Sequence, residues 1–465
     1  MRIVERAGAT GFLVVVLGGV GAGCAPERPL PSNAPNILIV TLDTVRADHV
    51  SCYGYPRETT PVLDRLAVEG QRLKNFTAVS SWTLPSHASL FTGLFPSSHG
   101  AHYSGDARRS LGDAVGGRDF YELFRANRLP EKAVCLAEVL RRHGYATGGV
   151  GAGPWLKSMF GLSQGFDWYD ADTNSLRGRP GEEVNELAIR FLRKHRDEPF
   201  FLFVNYFDAH DPYSPPPDLR FKFFDPAGTD QISTDPERAR EYEISQYDAE
   251  IFLVDRHLGV LLEALEDLGI YEDTWIMVIS DHGEQFGEHG IERHGFSLFE
   301  PEIRGVFVQK PPADLDVLRD ENERCQHVDI MPTILSELGI EHQLEMEGQP
   351  LGSLDHPVIA ELFRNAGNIR WKGPRFDRDL RAIYSDRLKL IRSTRQGDRD
   401  SGLFDLDQDP DERHDLSLDR PDQKNKLLRR LVEWEQSRPA PLSGSRVPLV
   451  DSETVEQLRA LGYLP

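Results

Sequence analysis

The chain has 465 residues, of which 39% are apolar and 27% charged, as in an ordinary globular protein. A chain of this length exceeds the size at which one hydrophobic core stops growing, so a large domain with a smaller companion is expected. Asp and Glu total 74 against 53 Lys and Arg, giving a formal net charge of −21. This charge argues against nucleic acid as a partner. It does not exclude a small anionic ligand, because a local group of histidines and a metal can reverse the field inside one pocket.

The amino terminus has the features of an export signal. Basic residues flank its start, and the apolar run at residues 11–20 is too short to span a bilayer. The tetrapeptide GAGC that ends at Cys24 is similar to a bacterial lipoprotein cleavage box, although such boxes usually have a larger aliphatic residue where Gly21 stands. We predict a signal peptide at residues 1–24, a lipid anchor on Cys24 and a periplasmic or cell-envelope location. An ordinary signal peptide cut nearby is the alternative.

The remaining cysteines do not predict a metal ribbon or a disulfide framework. Cys52, Cys135 and Cys325 are far apart and none belongs to a C-x-x-C pair, so they are interpreted as small core residues. The proline-rich residues 25–35 are predicted to tether the folded part of the chain.

Three continuous apolar runs predict buried parallel strands. They are Asn36–Leu42 (NILIVTL), Phe200–Tyr206 (FFLFVNY) and Thr274–Ser280 (TWIMVIS), and residues 305–308 suggest a further strand. Apolar residues at helical spacing occur between these strands, for example from Ile251 to Leu265. The alternation predicts an α/β fold with a central, mostly parallel sheet flanked by helices.

Polar residues follow these strands where each strand ends. They are Asp43, the segment 208–210, and the pair Asp281 and His282. Because ligands of open α/β sheets bind beyond the carboxyl ends of the strands, these residues are expected to share one edge.

The pattern changes after about residue 351. Residues 381–391 and 402–406 predict antiparallel strands, and residues 423–437 predict an amphipathic helix. We therefore predict a catalytic domain at residues 36–351 and a smaller α+β domain at residues 352–465. Residues 101–129 are interpreted as a loop-rich insertion.

Asp43, Thr83, Asp281 and His282 form a candidate metal site. Two carboxylates, one imidazole and one alkoxide suit Zn²⁺ or Mn²⁺, with Ca²⁺ as a third candidate. Metal binding would lower the pKa of the Thr83 hydroxyl and make it a nucleophile. Pro85 favours the first turn of a helix, which places Thr83 just ahead of the helix N-terminus, where an anion is stabilised. The simpler alternative is that Thr83 only caps this helix.

The segment TLPSHASLFTG, which starts at Thr83, resembles the signature of the sulfatases. In that signature a Cys, later oxidised to formylglycine, is followed by x-Pro-Ser-Arg and a small-residue stretch that ends in Thr-Gly. Thr83 falls on the Cys and His87 on the Arg. Other segments match in the same order: residues 42–48, 52–54, 143–147, 210–213, 280–284, 327–333, 389–391 and 403–406. The resemblance covers nearly the whole chain after the tether and implies the fold of the alkaline phosphatase superfamily.

The departures from the family pattern concern its charged pocket. Without Cys at position 83 no formylglycine is expected, so the aldehyde-hydrate chemistry of sulfate-ester cleavage is not available. Thr44 replaces the second Asp of the opening pair, and residues 151–154 (GAGP) replace a Gly-Lys-Trp-His stretch. What remains resembles relatives with a Thr nucleophile, which implies catalytic roles for Thr83, His210 and His294. The two histidines are expected to contact the transferred group or to donate a proton to the leaving alcohol.

The sequence therefore predicts an exported metal-dependent hydrolase that acts through Thr83 on a phosphodiester, phosphonate ester or sulfate ester. Its partner is expected to be a small anionic ester or an envelope glycan or lipid. The alternatives are an envelope phosphoryl-group transferase and a non-catalytic surface binding protein. Glu284, Glu288 and His289 are interpreted as loop structure and hydration. The sequence leaves open the leaving group, the metal and the oligomeric state.

Overall fold

The computed structural model describes residues 34–103, 109–116, 123–174, 177–315, 317, 319–353 and 356–442. The predicted signal peptide with Cys24, and most of the tether, lie outside the described residues. None of the helices in the described part of the chain has the length and apolar character needed to cross a membrane.

Strands and helices alternate through most of the chain. In chain order the strands are β1 Asn36–Leu42, β2 Gln71–Arg72, β3 Asn75–Thr77, β4 Arg109–Ser110, β5 Arg125–Ala126, β6 Ala146–Val150, β7 Trp168–Asp170, β8 Phe200–Tyr206, β9 Thr274–Ser280, β10 Gln285–Phe286, β11 Glu292–Arg293, β12 Arg304–Gly305, β13 Phe307–Lys310, β14 Arg324–Gln326, β15 Ile359–Leu362, β16 Leu380–Ser385, β17 Leu388–Ser393 and β18 Gly402–Asp405. The α-helices are α1 Pro61–Glu69, α2 Thr83–Thr92, α3 Pro96–His99, α4 Leu111–Ala114, α5 Leu136–Arg142, α6 Gly181–His195, α7 Pro236–Asp267, α8 Glu300–Ile303, α9 Ile330–Glu337, α10 Ala366–Lys372 and α11 Pro421–Ser437.

The central sheet has the strand order β2-β13-β9-β1-β8-β6-β7. Strand β1 pairs in parallel with β8 and β9, and β6 pairs in parallel with β8 and β7. Strand β13 runs antiparallel to both β9 and β2. The prediction of a mostly parallel sheet is confirmed, and the three long strands have the predicted bounds.

Both faces of this sheet are covered, which explains why its long strands β1, β8 and β9 are fully buried and mostly apolar. Ile37 and Ile39 of β1 belong to one buried cluster, together with residues of α2, α5 and α9. Leu38 and Val40 belong to the other, together with residues of α6 and α7. Because successive side chains point to opposite faces, a strand between two helical layers is buried at every position, and a polar side chain there needs a hydrogen-bond partner.

The strand predicted at residues 305–308 is divided in the structure. Strand β12 pairs with β3 in a small separate sheet, whereas β13 joins the central sheet beside β9. Val306 lies between them and exchanges hydrogen bonds with Ser280. The chain therefore changes sheets at Val306.

A second sheet follows in the C-terminal part, with the antiparallel order β15-β16-β17-β18. Leu427 and Leu431 of α11 pack on it beside Ile383, Leu390 and Leu403. The strands predicted at residues 381–391 and 402–406 and the predicted helix are confirmed, while the domain boundary at residue 351 stays a prediction. Cys135 and Cys325 are buried as predicted, whereas Cys52 is half-buried.

Candidate active site

The parallel pairing of β1 with β9 brings Asp43, Asp281 and His282 to the same sheet edge. Leu42 and Ser280 are opposite each other in register, so the residue after each strand lies at that edge. One ligand atom from each of the three residues lies within 4.8 Å of the others, and all three side chains are buried. The sequence prediction of a shared edge is therefore confirmed for these residues.

Three of the four carboxylate oxygens of Asp43 and Asp281 accept no hydrogen bond. Neither oxygen of Asp43 accepts a hydrogen bond, and Oδ2 of Asp281 accepts none either. Oδ1 of Asp281 accepts the backbone N–H groups of Thr44 at 3.1 Å and of His282 at 2.8 Å. Buried carboxylate oxygens without donors are costly, and a cation between them would remove that cost.

The ring of His282 is oriented as a metal ligand. Its Nδ1 lies 2.9 Å from the carbonyl oxygen of Gly283, which can only accept, so Nδ1 carries the hydrogen. The lone pair is then on Nε2, which lies 3.4 Å from Asp281 Oδ2. Burial and the neighbouring His294 lower the pKa of His282 to about 3, so the ring is neutral at pH 7, as ligation requires. These residues fit one divalent cation.

The two acids repel each other in the absence of a cation. Burial and the charge of Asp281 raise the pKa of Asp43 well above its usual value. Burial raises the pKa of Asp281 to about 6, although His87 and the N–H of Thr44 act in the opposite direction. Perturbed carboxyl groups of this kind are common at functional sites.

Thr83 begins α2 and lies beside the metal cluster. Its Oγ1 is 3.4 Å from His282 Nε2, and its side chain is 2% exposed. The structure corrects the prediction that Thr83 lies just ahead of the helix, since Thr83 is the first helical residue and Trp82 is the N-cap. Neither residue caps the helix through its side chain, because Trp82 makes no cap hydrogen bond and Oγ1 of Thr83 faces His282. The capping alternative is therefore wrong.

Thr44 has a strained backbone conformation that directs its N–H toward Asp281 at the same sheet edge. Its φ is 61°, a left-handed value that β-branched residues seldom adopt. In this conformation its N–H reaches Asp281, and its hydroxyl donates to the carbonyl oxygens of Asp43, at 2.7 Å, and Ala209, at 2.9 Å. Thr44 therefore orients the acids instead of adding a third carboxylate.

His294 lies beside His282, and His210 lies beside His294. The ring centroids of His294 and His282 are 4.5 Å apart, and those of His294 and His210 are 4.9 Å apart. Burial lowers the pKa of each to about 3, helped by Arg293 at His294 and by His294 at His210. Both are thus brought near the site, as neutral imidazoles at pH 7.

Glu284 differs from its predicted role as a hydrated loop residue. It is 0% exposed, accepts the hydroxyl of Tyr213 at 2.9 Å, and lies 3.3 Å from Nδ1 of His294. In contrast, Glu288 forms an ion pair with Arg46 at 2.7 Å and belongs to the loop framework. No sequence pattern distinguishes the buried Glu284 from its loop neighbour Glu288.

Sequence reasoning also missed two polar residues beneath the site. Thr41 and Asn205 are the polar side chains near the ends of NILIVTL and FFLFVNY, and both are 0% exposed. A polar residue inside an otherwise apolar strand must find a partner when buried, and this signal could have identified them.

Comparison with known proteins decides the family. The family described as Sulfatase matches residues 35–340. The chain belongs to the sulfatase family. A second family, described as N-sulphoglucosamine sulphohydrolase, C-terminal, matches residues 287–437. As a sulfatase-family protein with ester-hydrolysing relatives, the chain is an ester hydrolase.

Two curated relatives and one solved structure illustrate the likeness. The uncharacterized sulfatase YidJ of Escherichia coli K12 is 24% identical over 427 residues, covering 82% of this chain and 83% of that protein. An arylsulfatase of Clostridium perfringens is 27% identical, covering 69% of this chain and 78% of its own length. The phosphonate monoester hydrolase of Agrobacterium radiobacter has a similar fold, with a TM-score of 0.64, 19% identity, and coverage of 86% of this chain and 95% of that one.

Proposed function

We propose that this protein hydrolyses a phosphodiester, phosphonate ester or sulfate ester with Thr83 as the nucleophile, at a site where Asp43, Asp281, His282 and Thr83 hold one divalent cation. The observation that carries the proposal is the position of Thr83 Oγ1, 3.4 Å from His282 Nε2 and beside carboxylate oxygens that lack partners. When bound, the cation lowers the pKa of the hydroxyl and offsets negative charge on the transferred group. No formylglycine takes part, because residue 83 is not a cysteine.

The helix that begins at Thr83 supports an anionic substrate. The first N–H groups of a helix have no partner within it, and the positive end of the helix dipole favours negative charge. Helix α2 has ten residues and begins at the nucleophile. A tetrahedral anion attacked by Thr83 would therefore lie at this N-terminus.

The covalent reaction has two displacements. In the first, Thr83 Oγ1 attacks phosphorus or sulfur, the bond to the leaving oxygen breaks, and the alcohol departs with the proton that Thr83 gives up. In the second, water attacks the same centre, the bond to Thr83 breaks, and Thr83 recovers a proton.

The neutral histidines fit this sequence of steps as hydrogen-bond acceptors. Nδ1 of His210 donates to the carbonyl oxygen of Asp211 at 2.6 Å, and Nδ1 of His294 faces Glu284. Each neutral ring then has its lone pair on Nε2. We assign His294 to accept a hydrogen bond from the attacking water and His210 to orient the transferred group. Contact with the transferred group was one of the two roles expected of these histidines, and proton donation to the leaving alcohol was the other.

The relatives support an ester with a tetrahedral anionic centre. Their names include an arylsulfatase and a phosphonate monoester hydrolase, and one related structure contains D-glucosamine-2-N,6-O-disulfate. A sulfate monoester, a phosphonate monoester and a phosphodiester each have one negative charge on that centre. We propose a small ester or an envelope glycan of this class as substrate, for a protein exported through residues 1–24 and anchored at Cys24.

The direct test compares Thr83→Ala with wild type on nitrophenyl sulfate, phosphate, phosphodiester and phosphonate esters. We expect kcat to fall on the order of 10⁴-fold or more, because the nucleophile is lost. The matched control is Thr92→Ala, which removes a buried hydroxyl at the other end of α2, where Oγ1 donates to the carbonyl oxygen of Ala88 at 2.7 Å. This variant should keep its kcat.

The same assay decides between the alternatives. Equal activity in wild type and Thr83→Ala would contradict the covalent mechanism. Product release only after an acceptor alcohol is added would indicate a transferase. A preparation that is inactive and binds none of Zn²⁺, Mn²⁺ and Ca²⁺ would indicate a binding protein.

A further inference from the structure

Two neighbouring strands each place one buried polar side chain directly beneath the site. Thr41 of β1 and Asn205 of β8 are opposite each other in the parallel register, and both are 0% exposed. Asn205 Nδ2 donates to Thr41 Oγ1 at 3.1 Å. The ring of His87, from α2 and also 0% exposed, follows, with Nε2 3.0 Å from Thr41 Oγ1.

Both ends of this chain of contacts fix the direction of its hydrogen bonds. At one end, Asn205 Oδ1 accepts the backbone N–H groups of Ala152 at 3.2 Å and Gly153 at 3.3 Å, so the amide nitrogen must face Thr41. At the other end, His87 Nδ1 lies 2.8 Å from the carbonyl oxygen of Thr83. A carbonyl oxygen only accepts, so Nδ1 of His87 carries the hydrogen.

The direction of the hydrogen bond between Thr41 and His87 follows from these two ends. With the hydrogen on Nδ1, a neutral His87 ring has its lone pair on Nε2, and the hydroxyl of Thr41 donates to it. The opposite tautomer would aim two N–H donors at Thr41 Oγ1 and leave the Thr83 carbonyl without the ring donor. All the hydrogen bonds then run in one direction, from the backbone at residues 152–153 through Asn205, Thr41 and His87 to the carbonyl oxygen of Thr83.

We propose that Asn205, Thr41 and His87 are positioning residues that set the place of Thr83 against the metal ligands. Nδ1 of His87 also lies 3.7 Å from Oδ2 of Asp281, so one ring contacts the backbone of the nucleophile and a metal ligand. The far end of the chain holds the backbone at residues 152–153, which forms another wall beside the site: a Cβ on Gly153 would lie 3.7 Å from Asp43 Oδ2. The inference rests on the proposed function of Thr83, since positioning matters only if Thr83 reacts.

The hydroxyl of Thr41 is the most informative group to remove. Without it, His87 Nε2 and Asn205 Nδ2 both lose the buried hydrogen bond to Thr41, and the His87 ring turns to find another partner. Rotation of the His87 ring releases the carbonyl oxygen of Thr83. A displacement of about 1 Å at a reacting atom costs about 10²-fold in rate.

The first experiment is Thr41→Val, which keeps the side-chain shape and removes the hydroxyl. We expect kcat to fall about 10- to 100-fold while KM and the bound metal stay as in wild type, since only the alignment of the nucleophile is lost. Thr41→Ser, which restores a hydroxyl, should recover most of the loss.

The matched control is Thr274→Val at the opposite end of the sheet. Thr274 is also a strand threonine with 0% exposure, and its hydroxyl donates to the carbonyl oxygen of Ile270 at 2.6 Å. This variant loses a buried hydrogen bond of the same kind and should keep wild-type kcat. If Thr41→Val and Thr274→Val have the same kcat, the positioning role is disproved.

A second measurement tests the hydrogen-bond chain from Asn205 to His87 independently of activity. In protein with ¹⁵N-labelled histidine, the His87 ring, assigned by its absence from His87→Gln, should show the hydrogen on Nδ1 and an unprotonated Nε2. Thr41→Val should disturb this signal, whereas Thr274→Val should not. A hydrogen on Nε2 would overturn the inference, whatever the assays show.

Failure of the proposed function would look different. In that case Thr83→Ala remains as active as wild type. A fall in kcat of Thr41→Val could then not be explained by displacement of Thr83. If Thr83→Ala is inactive and Thr41→Val is fully active, the proposed function stands and only the positioning chain is lost.

Discussion

Two buried groups of charged side chains differ in whether their carboxylates have a cation beside them. In the C-terminal part, Arg378 Nε lies 2.6 Å from Asp398 Oδ2, and its Nη2 lies 2.6 Å from Asp400 Oδ2. Arg375 adds a second guanidinium to Asp400. At the edge of the central sheet, Asp43 and Asp281 are equally buried, yet three of their four oxygens have no hydrogen-bond donor.

The difference separates structure from function. Two arginines neutralise two aspartates, so the charges of the C-terminal group are balanced by the chain's own atoms. It also holds the loop that carries His294, because Arg378 donates to the carbonyl oxygen of Phe296 at 3.1 Å. The acids at the sheet edge have no such partner on three of their four oxygens, and burial raises the pKa of Asp281 to about 6. Buried acids without partners are therefore the stronger indicator of a reactive site.

The largest effect is expected from Asp281→Asn. This variant should lose high-affinity metal binding and at least about 10³-fold in kcat, because a charged ligand and the order of the site are lost together. The metal-free variant should unfold at the same denaturant concentration as metal-free wild type or a higher one, since the repulsion with Asp43 is removed. Metal titration and urea unfolding in a chelator check both statements, and a large loss of metal-free stability would contradict the comparison.

The opposite pattern is expected from Arg378→Met. Removing one cation leaves Asp398 buried without its guanidinium, which should cost about 3–5 kcal/mol of unfolding free energy. Below the unfolding temperature the variant should still bind metal, because Arg378 contacts neither the metal ligands nor Thr83. Its kcat should fall only modestly, through the lost hydrogen bond to the loop that carries His294. Loss of metal binding in folded Arg378→Met would show that the two groups are not separate.

Glu302 offers an intermediate case, a buried acid with neutral donors only. It accepts hydrogen bonds from Gln285, at 2.7 Å, and from Ser297 and the backbone of Phe296, but burial dominates and raises its pKa from 4.5 to about 7. The stability that comes from its protonated form is fully present below pH 4.5 and is lost as the pH rises through about 7.

Glu302→Gln should therefore flatten the pH dependence of unfolding. Between pH 4.5 and 7 the stability of wild type should fall relative to the variant by on the order of 2 kcal/mol. Urea unfolding of both proteins across this range, in the same chelator, measures the difference. Parallel curves for the two proteins would mean that Glu302 is already ionised at low pH.

Particular residues show which parts of the fold and of the site could be predicted from the sequence. The bounds of β1, β8 and β9 were predictable because a strand covered on both faces is apolar at nearly every position. Asp43, Asp281 and His282 could be placed together because parallel strands end at the same edge. The inward turn of Glu284 was not predictable, since its neighbour Glu288 has the same chemistry and lies in an ion pair with Arg46.

The sequence by itself determined the α/β fold, the family and the edge at which the metal ligands meet, because these depend on local patterns and on the order of segments along the chain. Only the tertiary structure decided which polar groups have partners. The bond from Thr44 to Asp281 joins residues 237 apart, and that from Thr41 to His87 joins residues 46 apart. Hydrogen bonds of this kind depend on three-dimensional distances and on the direction of each donor. Neither the distances nor the directions produce a periodic pattern in the sequence.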